Sequence, residues 1–195
     1  FNISHQQKLS NNLEIDLVYD KFSDKDYFDD FGGGISSSST TYKTRHAKLS
    51  YNKDGWDIKS RFLAYQTFDR NINQASQPYN ILPDINIQKR WNENFINNYD
   101  LKASVSQWNH ISKVDGTRAD IQLGVDREFL MQGLSVTPRF KIQHTSYDLE
   151  NQSSGLSSNP SKTIPIFSLD SEITLSRKMN GSDIAHQIKP RIFYL

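Results

Sequence analysis

From Arg118 to Phe129 apolar and polar residues alternate with a single fault. Ala119, Ile121, Leu123, Val125 and Phe129 share one parity, which Arg127 alone breaks; Arg118, Asp120, Gln122, Gly124, Asp126 and Glu128 hold the other. A strand sends successive side chains to opposite faces, so the run has one apolar wall and one polar wall. The pattern recurs along the chain. Leu134, Val136, Pro138, Phe140 and Ile142 oppose Ser135, Thr137, Arg139, Lys141 and Gln143. Phe167, Leu169, Ile173 and Leu175 oppose Ser168, Asp170, Glu172, Thr174 and Ser176. Ile184, Ile188, Ile192 and Tyr194 oppose Gln187, Lys189 and Arg191. Near the start, Leu13, Ile15, Leu17 and Tyr19 oppose Glu14, Asp16 and Asp20, and Trp56, Ile58, Phe62 and Ala64 oppose Asp57, Lys59 and Arg61. Helical periodicity is hard to find.

The alternation predicts an all-β chain of about ten strands, with approximate spans 1–9, 12–20, 42–52, 55–67, 81–91, 95–110, 117–129, 133–147, 165–178 and 184–195. Several exceed the five or six residues usual in globular proteins, and reach the roughly 9–11 needed to cross a bilayer at a tilt. The links alternate in length. Short turns fall at Ser10-Asn11-Asn12, Asp54-Gly55, Asn92-Glu93-Asn94, Leu130 to Gln132 and Asn180 to Asp183; long polar links fall at Lys21 to Thr41, Phe68 to Asn80 and Asp148 to Ile164, with Ile111 to Gly116 the shortest of that set. An up-and-down antiparallel meander with tight turns on one rim and loops on the other is the pattern of outer-membrane barrels. Register agrees. A two-residue turn at Asp54-Gly55 pairs odd with even positions, so Ala47, Leu49 and Tyr51 land on the face of Trp56, Ile58 and Phe62. A last turn centred on Gly181-Ser182 sets Glu172 opposite Arg191.

Composition fits this reading. Only 35% of residues are hydrophobic and mean hydropathy is -0.69, yet 12% are aromatic, which argues against a disordered tail. The net charge of +1 carries no basic excess for nucleic acid. With no cysteine, the segment has neither a disulfide nor a thiolate metal site. The polar parity carries both signs: Lys59, Arg61, Asp100, Lys102, Arg118, Asp120, Arg139, Lys141, Asp170, Glu172, Lys189 and Arg191. Mixed signs suit a hydrated lumen whose charges pair across strands, rather than a narrow single-sign pore. Tyr19, Tyr51, Trp56, Phe68, Trp91, Phe95, Phe129 and Tyr194 fall near strand ends on the apolar parity, where an aromatic girdle would sit. Edge strands cannot stand open in lipid, so the barrel is expected to be completed by strands outside this chain. The start at Phe1 and the end at Leu195, within an alternating stretch, are read as those of a fragment or processed piece.

Catalytic signals are weak. His5, His46, His110, His144 and His186 lack metal-ligand neighbours at helical or finger spacing. Ser50-Tyr51-Asn52-Lys53 matches an S-x-x-K pattern but sits at a strand end, and Gly32-Gly33-Gly34 lacks a following Lys-Ser/Thr. No Ser/His/acid set assembles, and no cofactor or enzyme activity is expected. Two other classes share the alternation: a soluble all-β sandwich for binding or adhesion, and a porin-like channel.

Two stretches carry a resemblance. One is Phe22-Ser23-Asp24-Lys25-Asp26-Tyr27-Phe28-Asp29-Asp30-Phe31-Gly32, after the second strand. The other is the closing pair, Pro165-Ile166-Phe167-Ser168-Leu169-Asp170-Ser171 and Gln187-Ile188-Lys189-Pro190-Arg191-Ile192-Phe193-Tyr194-Leu195. In order and spacing, over essentially the whole chain, they resemble the barrel domain of the LptD (OstA) family of lipopolysaccharide-assembly proteins. The resemblance implies one segment, 1–195, of a very large transmembrane barrel in the Gram-negative outer membrane. It implies transport of lipopolysaccharide to the outer leaflet, a lipoprotein plug (LptE-like), and a periplasmic bridge (LptA-like) that delivers the lipid through an N-terminal domain. Membrane lipid would cover the apolar wall, and nucleic acid is no partner. The chain departs from the family by lacking the jellyroll domain, the disulfide cysteines and both gate strands, and Ile188 replaces a more usual Leu. Two site expectations follow. Tyr27, Phe28, Asp30 and Phe31 belong to a loop that folds inward or contacts the plug; Arg118, Asp120, Arg139, Lys141, Glu172, Lys189 and Arg191 line the lumen.

Overall fold

A computed structural model describes residues 1–21, 42–67, 72–93, 97–178 and 185–195. The described residues form thirteen strands and one short 3-10 turn, Gln74–Ser76. The strands are β1 (Asn2–Ser10), β2 (Leu13–Asp20), β3 (Tyr42–Lys53), β4 (Trp56–Thr67), β5 (Asn80–Glu93), β6 (Asn97–Asn109), β7 (Asp115–Asp126), β8 (Phe129–Met131), β9 (Leu134–Glu150), β10 (Ser161–Ile173), β11 (Leu175–Lys178), β12 (Ala185–Ile188) and β13 (Arg191–Tyr194). One antiparallel sheet runs β1-β2-β3-β4-β5-β6-β7-β9-β10-β13, with β8 beside β9, while β11 and β12 form a separate ribbon. Spatial order follows chain order, as expected of a meander. Among the described residues the sheet does not close: β1 and β13 lie at opposite ends of that path.

The turns set the register. Asp54 (φ 51°) and Gly55 (φ 80°) both take the left-handed conformation that a two-residue hairpin requires. Lys53 therefore pairs with Trp56, Tyr51 with Ile58 and Ala47 with Phe62, uniting both apolar sets on one face. Gln132 and Gly133 make a two-residue link between Met131 and Leu134 in which the glycine alone (φ 76°) takes the left-handed conformation.

Prolines account for the breaks within the expected spans. The predicted strand 117–129 is divided into β7 and β8, yet Asp126↔Arg139 and Phe129↔Val136 belong to one uninterrupted register. The break lies opposite Pro138, whose carbonyl accepts from Arg127 N (3.4 Å) but which has no N–H to return. The last hairpin behaves alike. Glu172 faces Arg191 as expected, and Leu175↔Ile188 continues that register, but the pair 165–178 and 184–195 is broken beside Pro190. There Thr174 N still donates to Gly133 O (2.6 Å), which carries the β9–β10 register to the turn where β9 begins; β11 and β12 lie past that point. Pro83 sits where β5 shifts register against both neighbours, the usual place for a proline inside a sheet. Pro165 lies opposite Ile142. The flanking β9–β10 bonds alternate so that its missing N–H would point away from β9, where it breaks no ladder.

Burial is inverted relative to a water-soluble fold. Ile81 is the single buried hydrophobic residue among those described, whereas Asp100, Asp126 and Ser168 are buried. Leu123 (48% exposed), Phe140 (47%) and Phe167 (54%) lie open. A sandwich would cover such residues with a second sheet; among the described residues there is no second layer.

Candidate functional site: a charged wall opposite an apolar belt

The register extends each face across many strands. On the apolar side Trp91, Tyr99, Val125, Phe140 and Phe167 form one row through β5, β6, β7, β9 and β10. Lys89, Leu101, Leu123, Ile142 and Pro165 form the next. On β9 the apolar parity lasts from Leu134 to Ile142 and then gives way to His144, Ser146 and Asp148. At about 3.4 Å per residue the apolar part is about 27 Å long, and a tilt of about 35–45° brings its height to about 20 Å, a little under the roughly 25 Å belt of an outer-membrane barrel.

Rings mark the short-turn end of this belt. Trp91 stacks on Tyr99 (5.6 Å between centroids), and Lys89 Nζ lies 4.4 Å from the Trp56 ring centre and 5.5 Å from that of Trp91. Toward the long-link end, Phe1 meets Tyr19 edge-on at 6.3 Å and Arg45 lies 5.2 Å from the Tyr19 ring. Rings with one apolar body and one polar edge, flanked by a long cation, suit a boundary between hydrocarbon and water. Tyr51, Trp56, Trp91, Phe129 and Tyr194 take the expected face; Phe68 and Phe95 lie outside the described residues.

The opposite wall is a lattice of cross-strand ion pairs. Asp16 accepts from Lys48 Nζ (3.0 Å) and lies 3.0 Å from His46 Nε2. Arg61 donates to Asp84 (2.8 Å), which also accepts from Ser106 Oγ (2.9 Å). Asp120 accepts from Gln143 Nε2 (2.8 Å) and Thr145 Oγ1, with Arg118 4.0 Å away. Asp126 accepts from Arg139 Nε (3.1 Å) and Asn98 Nδ2 (2.9 Å). Arg191 holds Asp170 with two nitrogens, and Lys189 lies 4.0 Å from Glu172. Isolated exposed pairs contribute about 0–1 kcal/mol. Here the carboxylates are the more buried partners and carry further hydrogen bonds, so the lattice fixes side-chain direction as well as charge.

Asp100 shows what the register makes possible. It stands opposite Gly124 in β7, which stands opposite Lys141 in β9. A Cβ on Gly124 would lie 2.3 Å from Asp100 Oδ1. The bare glycine lets the carboxylate reach across β7 toward Lys141 Nζ, 3.7 Å away.

Arg118, Asp120, Arg139, Lys141, Glu172, Lys189 and Arg191 thus share one wall, as separate pairs rather than a single cluster. Tyr27, Phe28, Asp30 and Phe31 fall within 22–41, outside the described residues. The sequence reading passed over Gly124, whose role needs the register of three strands, and Lys89, a cation on the apolar parity.

The sequence matches the LPS transport system D (LptD) family over residues 1–195. The chain belongs to that family. It is 32% identical to the LPS-assembly protein LptD of Nitrosococcus oceani over 189 residues, which cover 94% of this chain and 25% of the relative. It is 28% identical to the LPS-assembly protein LptD of Nitrosospira multiformis, covering 98% of this chain and 22% of that relative. Its identity to the same-named protein of Neisseria meningitidis serogroup B is 25%, with 97% and 24% covered. The chain therefore spans about a quarter of the length of the curated relatives it matches. The LptD family expectation is met, as is the antiparallel meander of about ten wall strands.

Proposed function

We propose that this chain is a run of wall strands in a Gram-negative outer-membrane barrel that transports and assembles lipopolysaccharide. The observation that carries the reading is the inverted burial: an exposed apolar belt on one face and a charged, hydrogen-bonded lattice on the other. Lipid would cover the belt, and the lattice would line a hydrated lumen. The long-link rim then faces outward and the short-turn rim faces the periplasm. The names of the relatives supply lipopolysaccharide as cargo. The work is transport rather than catalysis: the lattice offers paired charges that hydrate a sugar headgroup, and the belt holds the wall in the bilayer. Strands outside 1–195 complete the barrel, because open edges leave backbone groups unpaired in lipid.

The test is a single-cysteine scan of Arg118 to Phe129 in the full-length parent, reconstituted in bilayers, with a fluorophore at each site and brominated acyl chains as quencher. Quenching is expected at 119, 121, 123 and 125 but not at 120, 122, 124 and 126. Uniform or absent quenching would sink the reading. The lipoprotein plug and the periplasmic bridge are proposed as partners of the parent, and Tyr27, Phe28, Asp30 and Phe31 as part of a plug-contacting loop. The support for that loop is its two adjacent aromatics within an acidic segment. Tyr27→Ala with Phe28→Ala is expected to weaken plug capture and raise outer-membrane permeability; if both stay unchanged, the loop has no such role.

A further inference from the structure

Trp108 and Tyr147 stand on the wrong wall. The pairs Trp108↔Gly116 and Arg118↔Tyr147 continue the polar parity of Ser106, Asp120 and Gln143, so both rings rise from the charged face near the long-link rim. Together with Tyr79, Val114, Arg118 and Leu149 they surround a hollow of about 290 Å³. We propose that this hollow binds one sugar unit bearing a negatively charged substituent, such as a phosphorylated or carboxylated pyranose.

The chemistry fits such a ligand. Trp108 is 41% exposed and Tyr147 is 36% exposed, in a lining that joins apolar Val114 and Leu149 to polar Thr117 and charged Arg118. A pyranose has apolar C–H faces and a polar edge. Its face can cover an aromatic ring, whose π face is negative and attracts the C–H hydrogens, while its edge stays hydrated or bonded. Arg118 supplies the charge. Its guanidinium lies 5.8 Å from the Tyr147 ring centre, with the nearest carboxylate, Asp120, 4.0 Å away. Lys113 Nζ approaches the Tyr79 ring at 5.9 Å. The one carboxylate lining the hollow, Asp115, accepts from Asn151 Nδ2 at 2.7 Å.

The hollow is built rather than incidental. Gly116 (φ +140°) forms part of it, and an added Cβ would run into the backbone of Asp148 and Leu149, so this position of the lining carries no side chain. His110, buried against the Tyr79 ring (4.6 Å between centres), stitches two links together. Its Nδ1 accepts from Ser112 N (3.1 Å) and Lys113 N (3.0 Å), which leaves Nε2–H to donate to Gln77 O (2.9 Å). Tyr79 OH donates to Val114 O (2.8 Å) and its ring meets Trp108 edge-on at 6.1 Å. Pre-formed walls spare a ligand the cost of ordering them.

The proposal rests on the reading of the charged face as a hydrated lumen, where a headgroup would pass. The experiment uses the full-length parent in nanodiscs and ligand-observed saturation-transfer NMR. The probes are delipidated core oligosaccharide, the same after phosphatase treatment, an oligogalacturonate and a neutral maltooligosaccharide. Core oligosaccharide is expected to bind. Trp108→Ala should weaken it about tenfold or more, while Trp108→Phe stays within about threefold of the parent. Arg118→Gln should abolish the preference for the phosphorylated probe. Binding of core alone assigns the site to the lipid headgroup; equal binding of oligogalacturonate assigns it to acidic glycans at large. If Trp108→Ala misfolds, Tyr147→Ser provides the same test. Unchanged binding in a folded variant, or equal binding of the maltooligosaccharide, overturns the proposal. Failure of the lumen reading would show separately, as brominated-lipid quenching at 108, 118 and 147.

Discussion

At the scale of single residues, the polar wall is organised by what a glycine leaves out. The carboxylate of Asp100 occupies the space above Gly124, on its way to Lys141. Gly124→Val should push that carboxylate aside and break the link between β6 and β9. The expected loss is about 1–3 kcal/mol, the cost of forcing extra methyls into occupied space. Urea unfolding of the parent protein in vesicles would measure it. Asp100→Ala in the same chain should return part of the loss, because the two changes share one space. Strictly additive losses would show that the glycine is not there for Asp100. Half of this device is legible in the sequence. Asp100 and Lys141 stand on the polar parity beside many other charges, but they are far apart along the chain. Only the register 100↔124↔141 reveals that a glycine separates them. Trp108 and Tyr147 are harder still. Out of phase with an apolar wall, they read as faults in the alternation until the sheet brings them to Gly116 and Arg118.

At the scale of elements, the alternation located the wall strands because each has one face for apolar contact and one for water. It underestimated β9 and β10, which run on to Glu150 and back to Ser161. Beyond Ile142 both parities of β9 are largely polar, so pairing with Asp115 to Asp120 extends the strand where no hydrophobic pattern marks it. Turn chemistry was legible at Asp54-Gly55, where both residues adopt positive φ as the hairpin demands. Proline breaks were not, because a proline interrupts its neighbour rather than itself. Pro138 divides β7 from β8 by leaving the carbonyl of Arg127 without a donor from across the ladder. Pro138→Val should join them into one strand, since valine suits a half-covered pleated face. The new hydrogen bond is expected to add about 0.5–1.5 kcal/mol. Hydrogen-exchange mass spectrometry across Arg127 to Val136 would register it as slower exchange. Exchange that is no slower would mean that the gap between β7 and β8 has another cause.

At the scale of the whole molecule, the two walls set opposite tolerances for charge. Contiguous exposed apolar surface of this extent is a liability in water, where patches beyond a few hundred Å² drive association. In hydrocarbon the same belt is the solvated surface, and it is the charged wall that must be kept in water with its members paired. Neighbouring positions on opposite faces can therefore be set against each other. Leu123 lies near the middle of the apolar run of β7, beside Leu101 and Ile142. Gln143 lies next to Ile142 along β9 but faces the charged wall, where its side chain already donates to Asp120 at 2.8 Å. On the reading proposed above, Leu123→Arg puts a guanidinium into lipid near mid-depth, at a cost of about 2–4 kcal/mol in an outer-membrane barrel. Gln143→Arg adds the same group to water, within reach of a carboxylate, and should cost less than about 1 kcal/mol. In a Gram-negative host carrying each variant of the full-length parent, Leu123→Arg should reduce both the folded, heat-modifiable species and surface lipopolysaccharide. Gln143→Arg should leave both near parental levels. The reverse order of effects would place lipid on the charged wall. Equal tolerance at the two sites would mean that the apolar belt is covered by protein, and the chain would then need a second layer that the described residues do not supply.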